Sequence, residues 1–295
     1  MSILISFDVG TTAMKCCAFS DRLELVASSS FEYQLTTRGA REVEADPGLY
    51  FRGLVSCLKE IFAAVDASEV AAVGITSQGE TLIPLDRMGS PVGPAIVWLD
   101  TRAADEASAL LAELGTEYFY QTTGLSSISG AAPVAKLKWL FSRPGMREKV
   151  AKVLLVEDYL VYRLTGVFAA EPALVCSTLW YDIRKGVYDP VILKAAGIPE
   201  AVLPELRPCG SVAGHVTPFV AALTGLPAGT PVVLTAMDQT AAAVGAGNLG
   251  AGSVTETTGT CLTVMAAVSE PDLSVLTPSS LQYYVHWDGS YLALA

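Results

Sequence analysis

Three short apolar runs in this chain each stop at a polar turn, and this pattern constrains the fold more than any other feature of the sequence. The runs cover residues 3–7, 70–75 and 231–236. Asp8 follows the first run, the segment Gln78-Gly79-Glu80 follows the second, and Asp238 follows the third. Polar residues at the carboxyl ends of buried strands line clefts in α/β proteins. We therefore expect an α/β fold in which these strand ends border a cleft.

The segments between these runs predict the rest of a mixed sheet and its flanking helices. Short apolar runs at residues 14–19 and 23–28 predict hairpins, so that the sheet begins antiparallel. Asp46 and Pro47 are typical N-cap and first-turn residues, and apolar residues at helical spacing follow them. Further helices are predicted at residues 102–114, 134–141, 146–151 and 157–164. Residues 200–229 carry many Pro and Gly residues and are predicted to be surface connections.

The composition excludes several classes of function. The 295 residues are 51% hydrophobic and carry a net charge of -11, which argues against nucleic acid or an anionic membrane surface as a partner. The first apolar run is too short for a secretory leader, and no run reaches the roughly 18 residues of a membrane span. The six cysteines show no CxxC spacing, so we expect reduced thiols and a cytoplasmic location. His215 and His286 lie far apart in the chain, which argues against a zinc site.

The segment Asp8-Val9-Gly10-Thr11-Thr12, followed by Lys15, is a candidate phosphate-binding turn. A glycine turn lets backbone N–H groups approach phosphate oxygens, and the threonine hydroxyls can add donors. Asp8 can hold magnesium through water, and Lys15 can neutralise phosphate charge. The glycine–lysine spacing does not match a Walker A loop. An ordinary hairpin explains the same residues, so this motif alone leaves both interpretations open.

Two further segments offer groups that suit a polyol. Gln78-Gly79-Glu80 supplies donors and acceptors after a buried strand, although an ordinary polar loop has the same composition. Trp98, close to Asp100 and Arg102, can pack on the apolar face of a sugar. The alternative places Trp98 in the core and Asp100 at the N-cap of the following helix. Both roles can coexist.

Asp238 lies between a buried strand and a predicted helix start. The helix dipole favours the ionised carboxylate, which a general base for alcohol phosphorylation requires. A helix N-cap is the competing interpretation, and it is favoured when this motif is considered alone.

Taken together, seven segments in this order and spacing resemble the FGGY family of carbohydrate kinases over essentially the whole chain. They are Asp8-Val9-Gly10-Thr11-Thr12, Gln78-Gly79-Glu80-Thr81, Val97-Trp98-Leu99-Asp100-Thr101-Arg102, Lys136-Leu137-Lys138-Trp139, Asp158-Tyr159-Leu160 with Leu164-Thr165-Gly166, Asp238-Gln239, and Thr258-Gly259-Thr260. The resemblance implies two actin-like (ribonuclease H-like) ATPase domains with ATP and sugar between them. Residues 1–245 would form the N-terminal sugar-binding and catalytic domain. Residues 246–295, which begin in a glycine-rich connection, would start a truncated nucleotide-binding domain.

The resemblance also assigns expected roles to single residues. Asp8 matches the aspartate associated with magnesium. Nucleotide contacts are implied for Gly10, Thr11, Thr12, Lys15, Gly259 and Thr260. Substrate contacts are implied for Gln78, Gly79, Glu80, Trp98, Asp238 and Gln239. Asp238 matches the catalytic base, so that the implied activity is a carbohydrate kinase that uses ATP and Mg²⁺ on a small-molecule sugar.

The choice of sugar depends on one departure from the family pattern. Gly79 stands where the glycerol kinase branch carries Arg, and the Met-His pair of the xylulokinase branch is absent as well. Without the arginine the site loses a donor and gains space, so we expect a ketopentose such as D-xylulose, with glycerol or another polyol as the alternative. The adenine-binding segments are expected beyond residue 295, which makes a sugar-binding fragment without turnover a further alternative. A third hypothesis is an actin-like ATPase whose partner is a protein. We also expect that the chain can form a homodimer.

Overall fold

The computed structural model describes residues 2–258, 262–274, 276–277 and 281–295. The helices are α1 (Pro47–Ile61), α2 (Ala104–Leu114), α3 (Thr116–Thr123), α4 (Pro133–Ser142), α5 (Met146–Lys149), α6 (Val156–Thr165), α7 (Pro172–Val175), α8 (Pro190–Ala196), α9 (Pro218–Thr224) and α10 (Asp238–Gly245). The strands are β1 (Ile3–Val9), β2 (Ala13–Ser20), β3 (Leu25–Glu32), β4 (Thr36–Arg38), β5 (Glu42–Ala45), β6 (Val70–Ser77), β7 (Ile83–Leu85), β8 (Ala95–Ile96), β9 (Lys152–Leu154), β10 (Ala169–Ala170), β11 (Tyr181–Asp182), β12 (Val187–Tyr188), β13 (Glu205–Leu206), β14 (Val212–His215), β15 (Pro231–Leu234), β16 (Val254–Thr258), β17 (Leu262–Val268), β18 (Gln282–Val285) and β19 (Tyr291–Leu294).

A six-stranded mixed sheet in the order β14-β15-β6-β1-β2-β3 forms the centre of the molecule. β1, β6 and β15 run parallel, whereas β2 and β3 continue from β1 as antiparallel strands. The α/β fold and the antiparallel start of the sheet are thus confirmed. α1 and α6 pack on this sheet, and α1 begins as predicted, since Asp46 Oδ1 accepts the backbone N–H of Gly48 at 2.9 Å. The apolar residues of these elements form one continuous core.

The three parallel strands bring distant parts of the sequence to one edge of the sheet. Val9 and Ser77, the last residues of β1 and β6, lie opposite each other, and β15 pairs with the other side of β6. The segments that carry Gln78 and Asp238 leave the sheet directly after β6 and β15. Parallel strands end at the same edge, so the sheet topology itself places these segments next to each other.

A second sheet, in the order β16-β17-β19-β18, follows α10 and is antiparallel throughout. The glycine-rich connection before it is anchored by the buried Asn248, whose Nδ2 donates to Met265 O at 3.3 Å. His286 Nε2 donates to Asn248 O at 2.9 Å. Backbone N–H of Tyr283 donates to Gly124 O at 2.9 Å, and β18 shares a hydrophobic core with the helices between β8 and β13. This sheet is therefore packed against the first part of the chain.

The prediction of surface connections at residues 200–229 is wrong. β14 extends the central sheet, and α9 packs against α1. Pro218 is the first residue of α9, and Gly225 is its C-cap in the left-handed conformation. Pro and Gly therefore mark the two ends of a short helix here, which is a normal position for each of them.

No helix in the described ranges has both the length and the apolar character to cross a bilayer. Five cysteines are free thiols, and each is buried or partly buried. They are Cys16, Cys17, Cys57, Cys176 and Cys209. Cys261 lies outside the described residues.

Candidate active site

A cavity of about 170 Å³ lies where the parallel strands of the central sheet end. Its walls are formed by Thr11, Gln78, Gly79, Glu80, Trp98, Met237, Asp238, Gln239 and Tyr284. All six residues predicted to contact substrate are among them, together with one residue of the predicted phosphate turn. Segments that are up to 160 residues apart in sequence, such as the ends of β6 and β15, meet here through hydrogen bonds. The fold thus assembles the predicted residues around one space.

Trp98 connects the predicted phosphate turn with the predicted sugar loop. Its ring Nε1 donates to Thr11 Oγ1 at 2.9 Å, and its backbone N–H donates to Thr81 Oγ1 at 3.1 Å. The side chain is held at its nitrogen but remains 39% exposed, so it does not belong to the core. A fixed and exposed indole ring at a cavity wall is suited to packing against the apolar face of a sugar.

Asp100 fixes the loop that carries Trp98 and does not cap a helix. α2 begins at Ala104 with Ala103 at the N-cap, so the N-cap interpretation of Asp100 is wrong. Asp100 is fully buried and accepts the backbone N–H of Val43 and the guanidinium of Arg102, each at 2.7 Å. A buried carboxylate of this kind needs a charged partner, and Arg102 provides it.

Gln78 brings an unused acceptor to the cavity wall. The residue is 3% exposed, and its Nε2 lies 3.5 Å from the Tyr50 hydroxyl. Its Oε1 has no hydrogen-bond partner among the described residues. A buried acceptor without a partner is costly, and a ligand hydroxyl would satisfy it.

Gly79 is a position where a side chain would require its neighbours to shift. A Cβ atom here would lie 2.7 Å from Met237 Sδ and 3.1 Å from Ser177 Oγ. Met237 is buried and itself lines the cavity. The thioether of Met237 therefore occupies the space that a side chain at position 79 would need.

Glu80 is held in a strained backbone conformation beside a buried lysine. Its φ angle is 69°, a left-handed value that costs a non-glycine residue about 1–3 kcal/mol. Lys136 is fully buried, and its Nζ donates to Glu80 O at 3.1 Å and to Val97 O at 3.0 Å. Lys136 thus ties the backbone beside Glu80 to the backbone beside Trp98.

The burial of this pair shifts both titrations. Desolvation raises the pKa of Glu80 to about 7; the charge of Lys136 opposes this rise and that of Asp238 adds to it. Desolvation lowers the pKa of Lys136 to about 8, against the attraction of Glu80 and Asp100. Both pKa values therefore lie near neutral pH, and Glu80 is the member of the pair that lines the cavity.

Asp238 is the first residue of α10 and faces the same cavity. Met237 occupies the N-cap position, so Asp238 is not the N-cap that the alternative interpretation requires. Its Oδ1 accepts the backbone N–H of Gln239 at 2.7 Å. Burial raises the pKa of Asp238 to about 6, the hydrogen bond from Gln239 opposes the rise, and the charge of Asp8 adds to it. The carboxylate is therefore a stronger base than a free aspartate, yet still ionised at neutral pH.

The predicted phosphate turn joins β1 and β2 next to this cavity. Gly10 N–H donates to Ala13 O at 2.9 Å, which closes the turn, and the Tyr33 hydroxyl donates to Gly10 O. Thr11 reaches the cavity wall, whereas Thr12 and Lys15 are exposed. Asp8 lies opposite Lys15 in the β1–β2 pair. Gly259 and Thr260, the predicted second phosphate loop, lie outside the described residues.

The acidic groups at this edge suit a magnesium ion that is bound together with phosphates. The described part of the chain contains no group of three or more His, Cys, Asp or Glu side chains that could hold a metal ion. Asp8 and Asp238 are close enough for the charge of one to raise the pKa of the other. Mg²⁺ in kinases is bound by one or two carboxylates, water and substrate phosphates, so this donor set is adequate for a nucleotide-bound ion.

Three residues of the site were not among those predicted. Lys136 lies in a segment that carries the family resemblance, and a lysine flanked by apolar residues within a predicted helix was the available signal. Met237 also lines the cavity, and its place directly before the predicted base Asp238 was the available signal. Tyr284 comes from β18 of the second sheet, and nothing in the local sequence signals its position.

Comparisons with known proteins identify the family of the chain. The model for the FGGY family of carbohydrate kinases, N-terminal domain, matches residues 3–245. A glycerol kinase from Thermococcus gammatolerans is 32% identical over 274 residues, which cover 89% of this chain and 53% of that protein. The chain thus spans about half the length of the curated relatives it matches.

Solved structures show the same fold. The xylulose kinase from Rhodospirillum rubrum superposes with a TM-score of 0.91 at 26% identity, covering 99% of this chain and 60% of that one. The Plasmodium falciparum glycerol kinase with ADP superposes with a TM-score of 0.89 at 24% identity, covering 100% of this chain and 60% of that one. The predicted actin-like α/β fold is confirmed by these neighbours. This chain belongs to the FGGY family of carbohydrate kinases.

Proposed function

We propose that this chain supports the ATP-dependent phosphorylation of a hydroxyl group on a neutral sugar or polyol, with Asp238 as the general base. One observation carries the proposal. Asp238, with its pKa raised to about 6, shares a single cavity with Gln78, Glu80 and Trp98. A base that is ionised at neutral pH thus lies beside groups that suit a polyhydroxylated ligand.

In the proposed reaction, Asp238 accepts the proton of the sugar hydroxyl while the hydroxyl oxygen attacks the γ-phosphorus of ATP. The bond from that phosphorus to the bridging oxygen breaks, and ADP leaves. Magnesium bound with the nucleotide neutralises phosphate charge in such transfers. We assign Asp8 to that ion, and Gly10, Thr11, Thr12 and Lys15 to the phosphates. Gly259 and Thr260 belong to the same proposal as the second phosphate loop.

The charges in the cavity favour a neutral substrate. Glu80 and Asp238 contribute carboxyl groups, and no Lys or Arg side chain is found among the described residues that line the cavity. The Lys136 ammonium group lies behind the wall, where it donates hydrogen bonds to two backbone carbonyls. A sugar acid would bring a further negative charge to this place without a partner, which is unfavourable.

Within neutral substrates we propose a ketopentose, with D-xylulose first. Gly79 lacks the donor that the arginine of the glycerol kinase branch would supply, and Met237 Sδ fills the space beside it, so the wall offers the substrate no cationic contact at this position. Glycerol is the second candidate, because the Thermococcus relative of 32% identity is a glycerol kinase. A fragment that binds sugar without turnover is the third.

A substrate panel on the chain separates these candidates. D-Xylulose, glycerol and a sugar acid are each supplied with Mg-ATP, and phosphorylated product is measured. We expect product from a neutral substrate only, and its loss in Asp238→Asn. The control is Asp66→Asn, which replaces an exposed aspartate at a distant N-cap. Turnover retained in Asp238→Asn would refute the base assignment, and calorimetric sugar binding without any product would support the fragment.

Three further expectations, on the domain boundary, the location and the oligomeric state, remain part of the proposal. We place a domain boundary at residues 245–246, supported by the family model that ends at residue 245. A cytoplasmic location is proposed on the basis of the free thiols. The homodimer remains a prediction.

A further inference from the structure

Glu157 connects the two strand ends that carry Gln78 and Asp238. It lies in the first turn of α6 and is fully buried. Its Oε1 accepts the backbone N–H of Thr235 at 3.0 Å, and its own backbone N–H donates to Ser77 Oγ at 3.1 Å. Thr235 directly follows β15, and Ser77 is the last residue of β6. A single residue of a third element thus binds both arms of the candidate site.

Further hydrogen bonds pass this restraint on to the site residues. Ser77 Oγ donates to Gln78 O at 3.1 Å. Thr235 Oγ1 donates to Ile75 O at 2.5 Å, and Thr76 Oγ1 donates to Ala236 O at 2.6 Å. Asp238 follows Ala236 by two residues. The arm that carries the proposed base is therefore held to β6 and α6 at Thr235 and Ala236, just before the base.

The surroundings of the Glu157 carboxyl favour its neutral form. Glu157 Oε2 and Glu171 Oε1 are buried and have no hydrogen-bond partner among the described residues. Among the described residues, the titratable groups whose charges interact with Glu157 are Asp158 on its own helix, Glu171 before α7 and Cys209 after β13, and none of them is a cation. Burial raises the pKa of Glu157 well above its ordinary value, and the charges of Glu171 and Asp158 add to the rise. An ionised carboxylate at this place would be unpaired, so the neutral acid is favoured.

We propose that Glu157 is a positioning residue of the phosphoryl-transfer site, which as a neutral carboxylic acid holds the Asp238 arm against the Gln78 arm. The proposal depends on the proposed function for its kinetic consequence. Its structural consequence, a restrained Thr235 amide, is independent of any activity. Misplacing a reacting group by about 1 Å can cost roughly 10²-fold in rate, which is the scale expected here.

Two variants of Glu157 and one control test the proposal in the 295-residue chain. Glu157→Ala removes the side-chain bond, and Glu157→Gln keeps the Oε1 acceptor and imitates the neutral acid. The control is Glu171→Ala, because Glu171 is an equally buried carboxyl whose side chain accepts from Ala173 N at 2.7 Å, within its own segment. Hydrogen exchange of the Thr235 amide, kcat and KM with Mg-ATP and the best substrate, and the pH profile of kcat are measured below the unfolding transition of each variant.

We expect faster exchange at Thr235 and a loss in kcat of roughly 10²-fold in Glu157→Ala, with a smaller change in KM. Glu157→Gln should keep the exchange rate, the pH profile and kcat within a few-fold of the wild type. Exchange and kcat in Glu157→Ala equal to those of Glu171→Ala would overturn the positioning role. A loss in Glu157→Gln as large as in Glu157→Ala would overturn the neutral-acid assignment.

If Glu157→Ala does not fold, Ser77→Ala is used instead, because it removes one of the two links. It should give a smaller loss in kcat than the roughly 10²-fold loss expected for Glu157→Ala. An unchanged kcat in Ser77→Ala would contradict the proposal. A wild-type chain that neither phosphorylates nor binds any of the substrates would refute the proposed function, and binding without product would leave only the fragment. The exchange measurements at Thr235 would still decide on the restraint.

Discussion

Asp238 illustrates how much a residue's chemistry depends on its neighbours. Its position before a helix is compatible with an ordinary N-cap, but Met237 takes that position and Asp238 begins the helix. Within the described part of the chain, the carboxylate accepts one hydrogen bond, from the N–H of the next residue, and burial raises its pKa to about 6. The same residue type at an exposed cap, such as Asp66, has a lowered pKa because the backbone and side chain of Ser68 stabilise the charged form. Burial makes the difference between a cap and a candidate base.

The raised pKa of Asp238 predicts how turnover depends on pH. A general base works only when deprotonated, so kcat should fall as the pH drops below about 6. Glu80 titrates at about 7 in the same cavity and could produce a similar limb. The profile is therefore measured in the wild type and in Glu80→Gln. The limb near pH 6 should persist in Glu80→Gln, and its disappearance there would assign the limb to Glu80 instead.

At the scale of elements, α4 organises the site from behind its wall. It places Lys136 under two loops that carry Glu80 and Trp98, and Nζ binds a backbone carbonyl of each. The left-handed backbone of Glu80 is maintained in part by one of these bonds. A helix thus determines the conformation of two loops with which it shares no sequence proximity.

Replacing Lys136 should separate positioning from packing. Lys136→Met keeps most of the buried volume but leaves the carbonyls of Glu80 and Val97 unpaired, which we expect to cost about 1–3 kcal/mol each and to raise KM for the sugar. The control is Lys138→Met on the same helix, since Lys138 Nζ donates to Ala195 O at 2.6 Å away from the cavity. Urea unfolding and sugar binding are measured for both. Equal effects of the two variants on sugar binding would contradict the positioning role of Lys136.

At the scale of the whole molecule, the second sheet completes the cavity. β18 contributes Tyr284 to the wall. The preceding residue, Tyr283, donates its backbone N–H to Gly124 O at the end of α3. Gly124 is the left-handed C-cap of that helix with φ at 77°. A Cβ atom at this glycine would lie 2.7 Å from Tyr283 O, so the close approach of the two parts requires a glycine.

This contact predicts different results for two glycines in the same conformation. Gly124→Ala should destabilise the chain by about 1–3 kcal/mol through the clash with Tyr283, in addition to the backbone strain, and should weaken sugar binding by displacing β18. Gly166→Ala is the control, because Gly166 is also a left-handed C-cap, with φ at 77°, but has open space around its Cβ position. Urea unfolding and calorimetry are the measurements. Equal destabilisation by the two variants would show that the contact at Tyr283 is unimportant.

The sequence by itself determined five of the six strands of the central sheet, the start of α1 and the identity of most residues in the cavity. Local patterns suffice for this, because alternating apolar residues define β1, and the Asp46-Pro47 pair defines the start of α1. It also indicated the family, which the comparisons confirm. It failed at residues 200–229, because Pro and Gly occur at the ends of short elements as well as in loops, and only packing on the sheet and on α1 distinguishes the two.

Only the tertiary structure decided which groups act on one another. The left-handed Glu80, the burial of Lys136, the close approach of Met237 to Gly79, and the two-sided link through Glu157 all depend on contacts between segments that are distant in the chain. The pKa of Asp238 belongs to the same class, since desolvation is a property of the surroundings and not of the residue. A residue's type sets which chemistry is available, and its three-dimensional environment sets at which pH and in which direction that chemistry can be used.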